Sequence, residues 1–177
     1  MVRKAAPQPG KTAYARALGR LARRDHSEAE LRTALRDRGH SPEDVKAALE
    51  RLRAQRFLDD TGFAERFARS RLLSHRVGRH RIQQGLRQRG VDRKVAEDGL
   101  RKALVDAPEH QALEAAARSY WRTHGRDEPA KRIRKLWAFL LRRGFPADLV
   151  GERLGALWPR HRSDLEGLAP LEGESLE

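Results

Sequence analysis

Three glycines, Gly39, Gly90 and Gly144, lie 51 and 54 residues apart, and the residues around them agree. Eight positions before each glycine stands Leu31, Ile82 or Leu136, four before stands Leu35, Leu86 or Leu140, and immediately before stands Arg38, Arg89 or Arg143. After the glycine come Val45, Val95 or Leu149, then Leu49, Leu100 or Leu154 at a constant offset of ten. Apolar residues four apart share one face of a helix, and a following glycine supplies the left-handed conformation that ends it. Recurrence at a period of roughly 40 to 55 residues implies stacked helical units with a continuous core and atypical ends. The pattern therefore predicts an all-α chain of three tandem three-helix repeats, over 13–55, 60–105 and 109–158, forming an elongated, curved array. Residues 1–12 read as a flexible N-terminal arm and 163–177 as an acidic, disordered tail.

Local punctuation supports this reading. Ser27 stands three residues before Glu30 as a capping box, with Leu31 and Leu35 following, which predicts a helix over about 27–38. Ser41-Pro42-Glu43-Asp44 offers an N-cap, a proline at the first helical position and acids in the first turn, so a second helix runs over about 42–55. Tyr14 to Arg24 precedes both as a third. In the next repeat Asp59 and Asp60 open a helix carrying Phe63 and Phe67, a loop around Gly78 breaks it, and Asp92 caps the helix of Val95 and Leu100. Pro108, Pro129 and Pro146 each sit near a helix start in the last repeat, where proline is tolerated. Trp121, Trp137 and Trp158 all fall in that repeat and are assigned to its core. Few β-branched residues, no alternating apolar runs and no Asn-Gly or Asp-Gly turn leave little room for strands.

The charge narrows the function. The chain of 177 residues carries a net +13, and the segment from Ser163 to Glu177 holds five acidic residues and no basic one. The remainder therefore sets 38 basic against 20 acidic side chains, a net +18. A polyanion or an acidic protein surface is the natural partner of such a body. The excess is densest from Arg66 to Lys94, with ten basic residues against one acid, Asp92. Ordinary helix surfaces intersperse both signs. Arg66, Arg69, Arg71, Arg76, Arg79, Arg81, Arg87 and Arg89 are therefore candidates for partner or DNA contact, joined by Lys131, Arg132 and Lys135 from the corresponding helix of the third repeat. Reversing Arg79 and Arg81 to Glu is expected to weaken partner binding and leave the fold intact.

Catalytic readings find little support. The chain has no cysteine, which excludes thiolate metal sites and disulfides and agrees with a reducing cytosol. No GxxxxGK[ST] loop, GxSxG elbow or HExxH pair is present. The seven histidines show no i,i+4 pair suited to zinc and read as surface or cap residues, and Asp59 with Asp60 reads as a cap plus a charge favourable to the helix dipole. The N-terminus lacks an apolar stretch of signal-peptide length, and no run approaches the ~18 apolar residues of a membrane span. The expectation is a cytoplasmic monomer that binds rather than catalyses and needs no cofactor or metal.

Three blocks carry a resemblance to a known family. LARRDHSEAELRTAL (Leu21 to Leu35), FLDDTGFAERFARSRL (Phe57 to Leu72) and VGRHRIQQGLRQRGV (Val77 to Val91) resemble successive blocks of RecX proteins, regulators of the RecA recombinase, over about residues 14–105. The third repeat matches in helical pattern. The family pattern falls on Ser27, Glu30 and Leu31, then on Asp60, Phe63, Ala64 and Arg71, then on Gly78, Ile82, Leu86 and Gly90. Most of these read as core, cap or helix-stop positions, whereas Arg71 reads either as a contact or as half of an internal ion pair. Gly85 departs from the family's acidic residue at that place, at a cost of ~1 kcal/mol in helix stability relative to alanine. The resemblance implies three three-helix repeats and binding to RecA within the groove of its nucleoprotein filament. It implies modulation, usually inhibition, of filament growth, ATP hydrolysis and strand exchange in DNA repair and the SOS response. The competing reading is a sequence-independent protein that coats single- or double-stranded DNA.

Overall fold

A computed structural model describes residues 12–125, 128–161, 163 and 165. Apart from Thr12, Ser163 and Leu165, the N-terminal arm and the acidic tail lie outside the described residues. Those described form nine α-helices and a short 3-10 turn, with no strand among them. The first three are α1 (Ala13–Leu21), α2 (Glu28–Arg36) and α3 (Pro42–Ala54). They are followed by α4 (Asp60–Leu73), α5 (Arg79–Gln88) and α6 (Arg93–Asp106), and then by α7 (Glu109–Thr123), α8 (Pro129–Arg142) and α9 (Ala147–Leu157). The result is an all-α tandem-repeat fold. Among the described residues no helix is long and apolar enough to cross a membrane.

The helix starts follow from local hydrogen-bond chemistry. The first amides of a helix lack intrahelical partners, and a side-chain oxygen just before the helix supplies one. Thr12 does this for α1, accepting from Ala15 N at 3.2 Å, so the arm predicted to end at 12 gives its last residue to the helix. Ser27 completes the capping box of α2: its hydroxyl accepts from Glu30 N, and Glu30 accepts from Ser27 N, each at 3.1 Å. Ser41 accepts from Asp44 N at 3.0 Å with Pro42 at the first position of α3, and Asp92 accepts from Lys94 N at 2.9 Å at the start of α6.

All three repeat glycines take positive φ, 81° at Gly39, 69° at Gly90 and 85° at Gly144, the left-handed values that end the second helix of each repeat. Leu31, Ile82 and Leu136, eight positions earlier, are fully buried, as are Leu35, Leu86 and Leu140. One aligned position needs correction. Val95 and Leu149 are half-buried, and the core residues are their neighbours Ala96 and Val150. These share with Val45 an offset of six from the glycine, so the helical face is the same in all three repeats. Of the tryptophans only Trp137 is buried. Trp121 and Trp158 are half-buried and pack ring to ring at 4.7 Å.

The chain divides into two compact units. One comprises the residues up to Arg66 together with Gly85–Gly99, and the other Phe67–Gln84 together with the residues from Leu100 onward. In the first unit α1, α2 and α3 pack on one another around Leu31, Leu35, Leu49, Leu52 and Leu58. In the second, α7 packs on α8 and α9 around Leu113, Ile133, Leu136, Leu140, Phe145 and Leu154, all essentially inaccessible to solvent. The divisions fall inside α4, α5 and α6, so the second repeat supplies residues to both units.

Candidate interaction surfaces

The same joint between successive repeats is built twice, once inside each unit. In the first unit Asp60, the opening residue of α4, accepts the free amide of Glu28 at the start of α2 at 2.9 Å. In the second unit Glu109, the opening residue of α7, accepts the amide of Arg79 at the start of α5 at 2.6 Å. An acid from each following repeat thus caps the second helix of the preceding one. The opposite end of the joint also recurs. Ser27 donates its hydroxyl to the carbonyl of Arg89 at 2.5 Å, and Gly78 donates its amide to the carbonyl of Arg143 at 2.9 Å. Gly90 and Gly144, next along the chain from those carbonyls, lie so close to the facing helix start that a Cβ would fall 2.4 Å from the Ala29 Cβ and 2.5 Å from the Arg81 amide.

Charge at these joints is compensated locally. The Glu28 carboxylate receives Arg53 through Nε at 2.6 Å and a terminal nitrogen at 2.5 Å, and also pairs with Arg32. The Arg53 hydrogen bond, set against a smaller burial effect, holds Glu28 below its ordinary pKa of 4.5. Burial acts the other way on Asp60 and raises it above 3.8, opposed by the Glu28 amide it accepts. Asp60 was expected to serve its own helix; Asp59 does that instead, accepting from Thr61 N at 3.0 Å. His26 also departs from the surface role expected of the histidines. It is buried before α2 with Nδ1 2.9 Å from the Arg24 carbonyl, and desolvation lowers its pKa below 6.5.

The predicted basic set is divided between the two units. Arg66, Arg87 and Arg89 belong to the first unit and the other eight residues to the second. In the first unit Arg66 pairs with Asp25 at 2.6 Å, and Arg89 donates to the Gly85 carbonyl at 3.0 Å and lies 3.8 Å from Glu30. Arg87 is exposed, with no described partner for its side chain.

In the second unit Arg69 pairs with Asp106 at 2.5 Å, and Arg79 pairs with Glu109 at 2.5 Å through Nε. The Glu109 side chain is only 4% exposed. The Arg81 guanidinium donates to the Arg142 carbonyl at 3.0 Å, and Arg76, at φ 52°, reaches the Ala115 carbonyl at 3.5 Å. Arg71 is half-buried with its guanidinium 5.0 Å from the Phe67 ring centroid, and Arg132 covers one face of Trp121 at 3.7 Å. Lys131 and Lys135 are exposed on α8, and Lys131 has no described side-chain partner. Most of the set is thus occupied within the fold. Charge reversal at Arg79 would press a carboxylate against buried Glu109, so reversing Arg79 and Arg81 is expected to act on stability as well as on any contact.

Sequence reasoning missed the carboxylates that join successive repeats, Asp60 and Glu109. Their only signal is an acid opening the next repeat's first helix, 32 residues after Glu28 for Asp60 and 30 after Arg79 for Glu109. Among the described residues no group of three or more His, Cys, Asp or Glu side chains is arranged to hold a metal ion.

Comparison with known proteins follows the same threefold division. The family described as RecX, first three-helix domain, matches residues 13–52, the second three-helix domain matches 59–100, and the third matches 108–152. The chain is 37% identical over 142 residues to the Regulatory protein RecX of Prosthecochloris aestuarii, covering 80% of this chain and 91% of that one. It is 44% identical over 136 residues to the Regulatory protein RecX of Halorhodospira halophila, covering 76% and 81%. The crystal structure of RecX from Lactobacillus salivarius superposes with a TM-score of 0.71 at 22% identity, over 82% of this chain and 94% of that one, a likeness of fold.

Proposed function

The chain belongs to the RecX family, a family of regulatory proteins and not of enzymes, and from that premise we propose that it binds the RecA recombinase in the groove of its nucleoprotein filament. Binding there modulates, and in the main inhibits, filament growth, ATP hydrolysis and strand exchange during DNA repair. The observation that carries this reading is the run of three family matches, in order, across residues 13–152. The basic charge supports it, because an acidic protein groove and the DNA within it both attract a chain of net +13.

The contact is assigned to members of the basic set that the fold leaves available, Arg87 on α5 and Lys131 on α8, rather than to arginines already held by Asp25, Asp106 or Glu109. Measuring RecA's DNA-dependent ATPase against added protein tests the reading. Inhibition is expected at concentrations well below those that coat the DNA, with Arg87→Glu and Lys131→Glu each shifting the half-inhibitory concentration upward several-fold. Inhibition seen only once the DNA is coated would favour the competing DNA-coating reading.

A further inference from the structure

The first repeat contains a groove that neither the family resemblance nor the basic run of the second repeat singles out. Its volume is about 200 Å³, and it is lined by Arg16 and Arg20 from α1, Arg23 from the turn after it, and Arg38 from the turn after α2. Between these the floor is made of Ala15, Gly19 and Ala34, with buried Leu35 beneath. A Cβ built at Gly19 would meet nothing within 4 Å, so the space above the floor is open. No acidic and no aromatic side chain lines the groove. Arg20, Arg23 and Arg38 are exposed, and no described carboxylate pairs with any of them. They differ in this from Arg24 beside them, which reaches Glu30, and from most of the arginines in the second repeat.

We infer that this groove is a nucleic-acid site that takes the phosphodiester backbone of a strand without reading its bases. Guanidinium groups present only donors, in a planar fork that matches phosphate oxygens. Arg20 lies in the last turn of α1, Arg23 follows in the turn after it, and Arg38 lies in the turn after α2. Such a cluster suits a polymer that carries a negative charge at every unit, about one per 3.4 Å along each strand of a duplex. Acidic protein surfaces, by contrast, mix both signs. The small floor residues permit close approach by a backbone, and the absence of aromatic side chains removes the stacking that would hold bases. This site is independent of RecA and of the contacts assigned to Arg87 and Lys131.

The test is fluorescence anisotropy of a labelled 20-nucleotide oligo-dT with the full-length chain across a salt series, in the absence of RecA. A triple substitution, Arg20→Ala, Arg23→Ala and Arg38→Ala, is expected to weaken binding at least tenfold and to lower the log–log salt slope by about 2, near 0.7 for each phosphate of a single strand left without its cation. A control of equal charge loss, Lys46→Ala, Lys94→Ala and Lys102→Ala, is expected to weaken it by less than threefold. Gly19→Leu keeps every charge and fits a helix without clash, so its side chain fills the groove in a folded protein; it is expected to weaken binding at least fivefold. Equal losses in the triple variant and its control, or unchanged binding by a folded Gly19→Leu, would overturn the proposal. Unchanged oligonucleotide binding with loss of RecA binding in the groove variants would overturn it in favour of an acidic protein partner.

Discussion

At the level of single residues, an arginine is defined by what faces it. Arg79 and Arg87 lie eight positions apart on α5, yet Arg79 holds a buried carboxylate while Arg87 has no described partner. Removing one partner of a desolvated hydrogen-bonded charge leaves the other stranded, which costs more than the pair contributes. Arg79→Ala is therefore expected to destabilise the protein by about 2 kcal/mol, a fall in melting temperature of roughly 4–8 °C for a chain of this length. Arg87→Ala should move it by less than about 0.5 kcal/mol, within the range of ordinary surface substitutions. Thermal unfolding followed by circular dichroism reads both, and a similar small effect at the two positions would contradict the assignment. Sequence alone showed ten positive charges in this stretch but not the acids that occupy them, because Asp25, Asp106 and Glu109 lie 41, 37 and 30 residues from the arginines they hold.

The two carboxylates at the first joint respond to acid in opposite directions. Glu28 is depressed by its hydrogen bond from Arg53, so it contributes stability above its ordinary 4.5 that is lost as pH falls through the lower folded value. Asp60 is raised by burial, so the folded state takes up its proton first, and its contribution diminishes as pH rises from 3.8 through the higher folded value. Replacing Glu28 by Gln should flatten the loss of stability below pH 4.5. Replacing Asp60 by Asn keeps an oxygen to cap α2 and should give a variant whose stability relative to the parent improves as pH rises above 3.8. Urea denaturation at a series of pH values distinguishes these slopes, and parallel curves for parent and both variants would refute the assignment.

At the level of the element, the helix-stop glycines serve two constraints at once. Gly90 needs a left-handed backbone and also clears Ala29 of the facing helix by too little for a methyl group. Gly90→Ala should therefore cost more than the ~1–2 kcal/mol of left-handed strain alone, whereas Gly19→Ala, in open space within α1, should stabilise by up to ~1 kcal/mol. Equal and opposite small shifts would show that only the backbone constraint operates. Gly39, Gly90 and Gly144 were legible because a stop signal recurs with buried residues eight and four positions before it. The register after the glycine was less so. Val95 beside Ala96, and Leu149 beside Val150, offer two apolar neighbours, and composition alone favours the larger of each pair. The structure buries Ala96 and Val150 because the helix face is set by the offset from the glycine, not by side-chain size.

For the whole molecule, the threefold division into three-helix repeats was readable from periodicity. The distribution of usable charge was not. Net charge reports the excess but not its address, since a run dense in arginine is also a run with many chances to find an acid. The densest segment is largely spent on holding successive repeats together, and available cations turn up in the sparser first repeat, at Arg20, Arg23 and Arg38. Trp121 shows the same effect in aromatic form. It lies between Arg132 and Trp158, a place that composition does not reveal.

The repeated joint has a consequence for how the protein is made. Each preceding repeat borrows its cap from residues that follow it: α2 waits for Asp60 and then for the carbonyl of Arg89, and α5 waits for Glu109 and then for the carbonyl of Arg143. Chains leave the ribosome N-terminus first, at roughly 5–20 residues per second. The first repeat thus emerges with its second helix incompletely satisfied for several seconds, and matures only as its successor is translated.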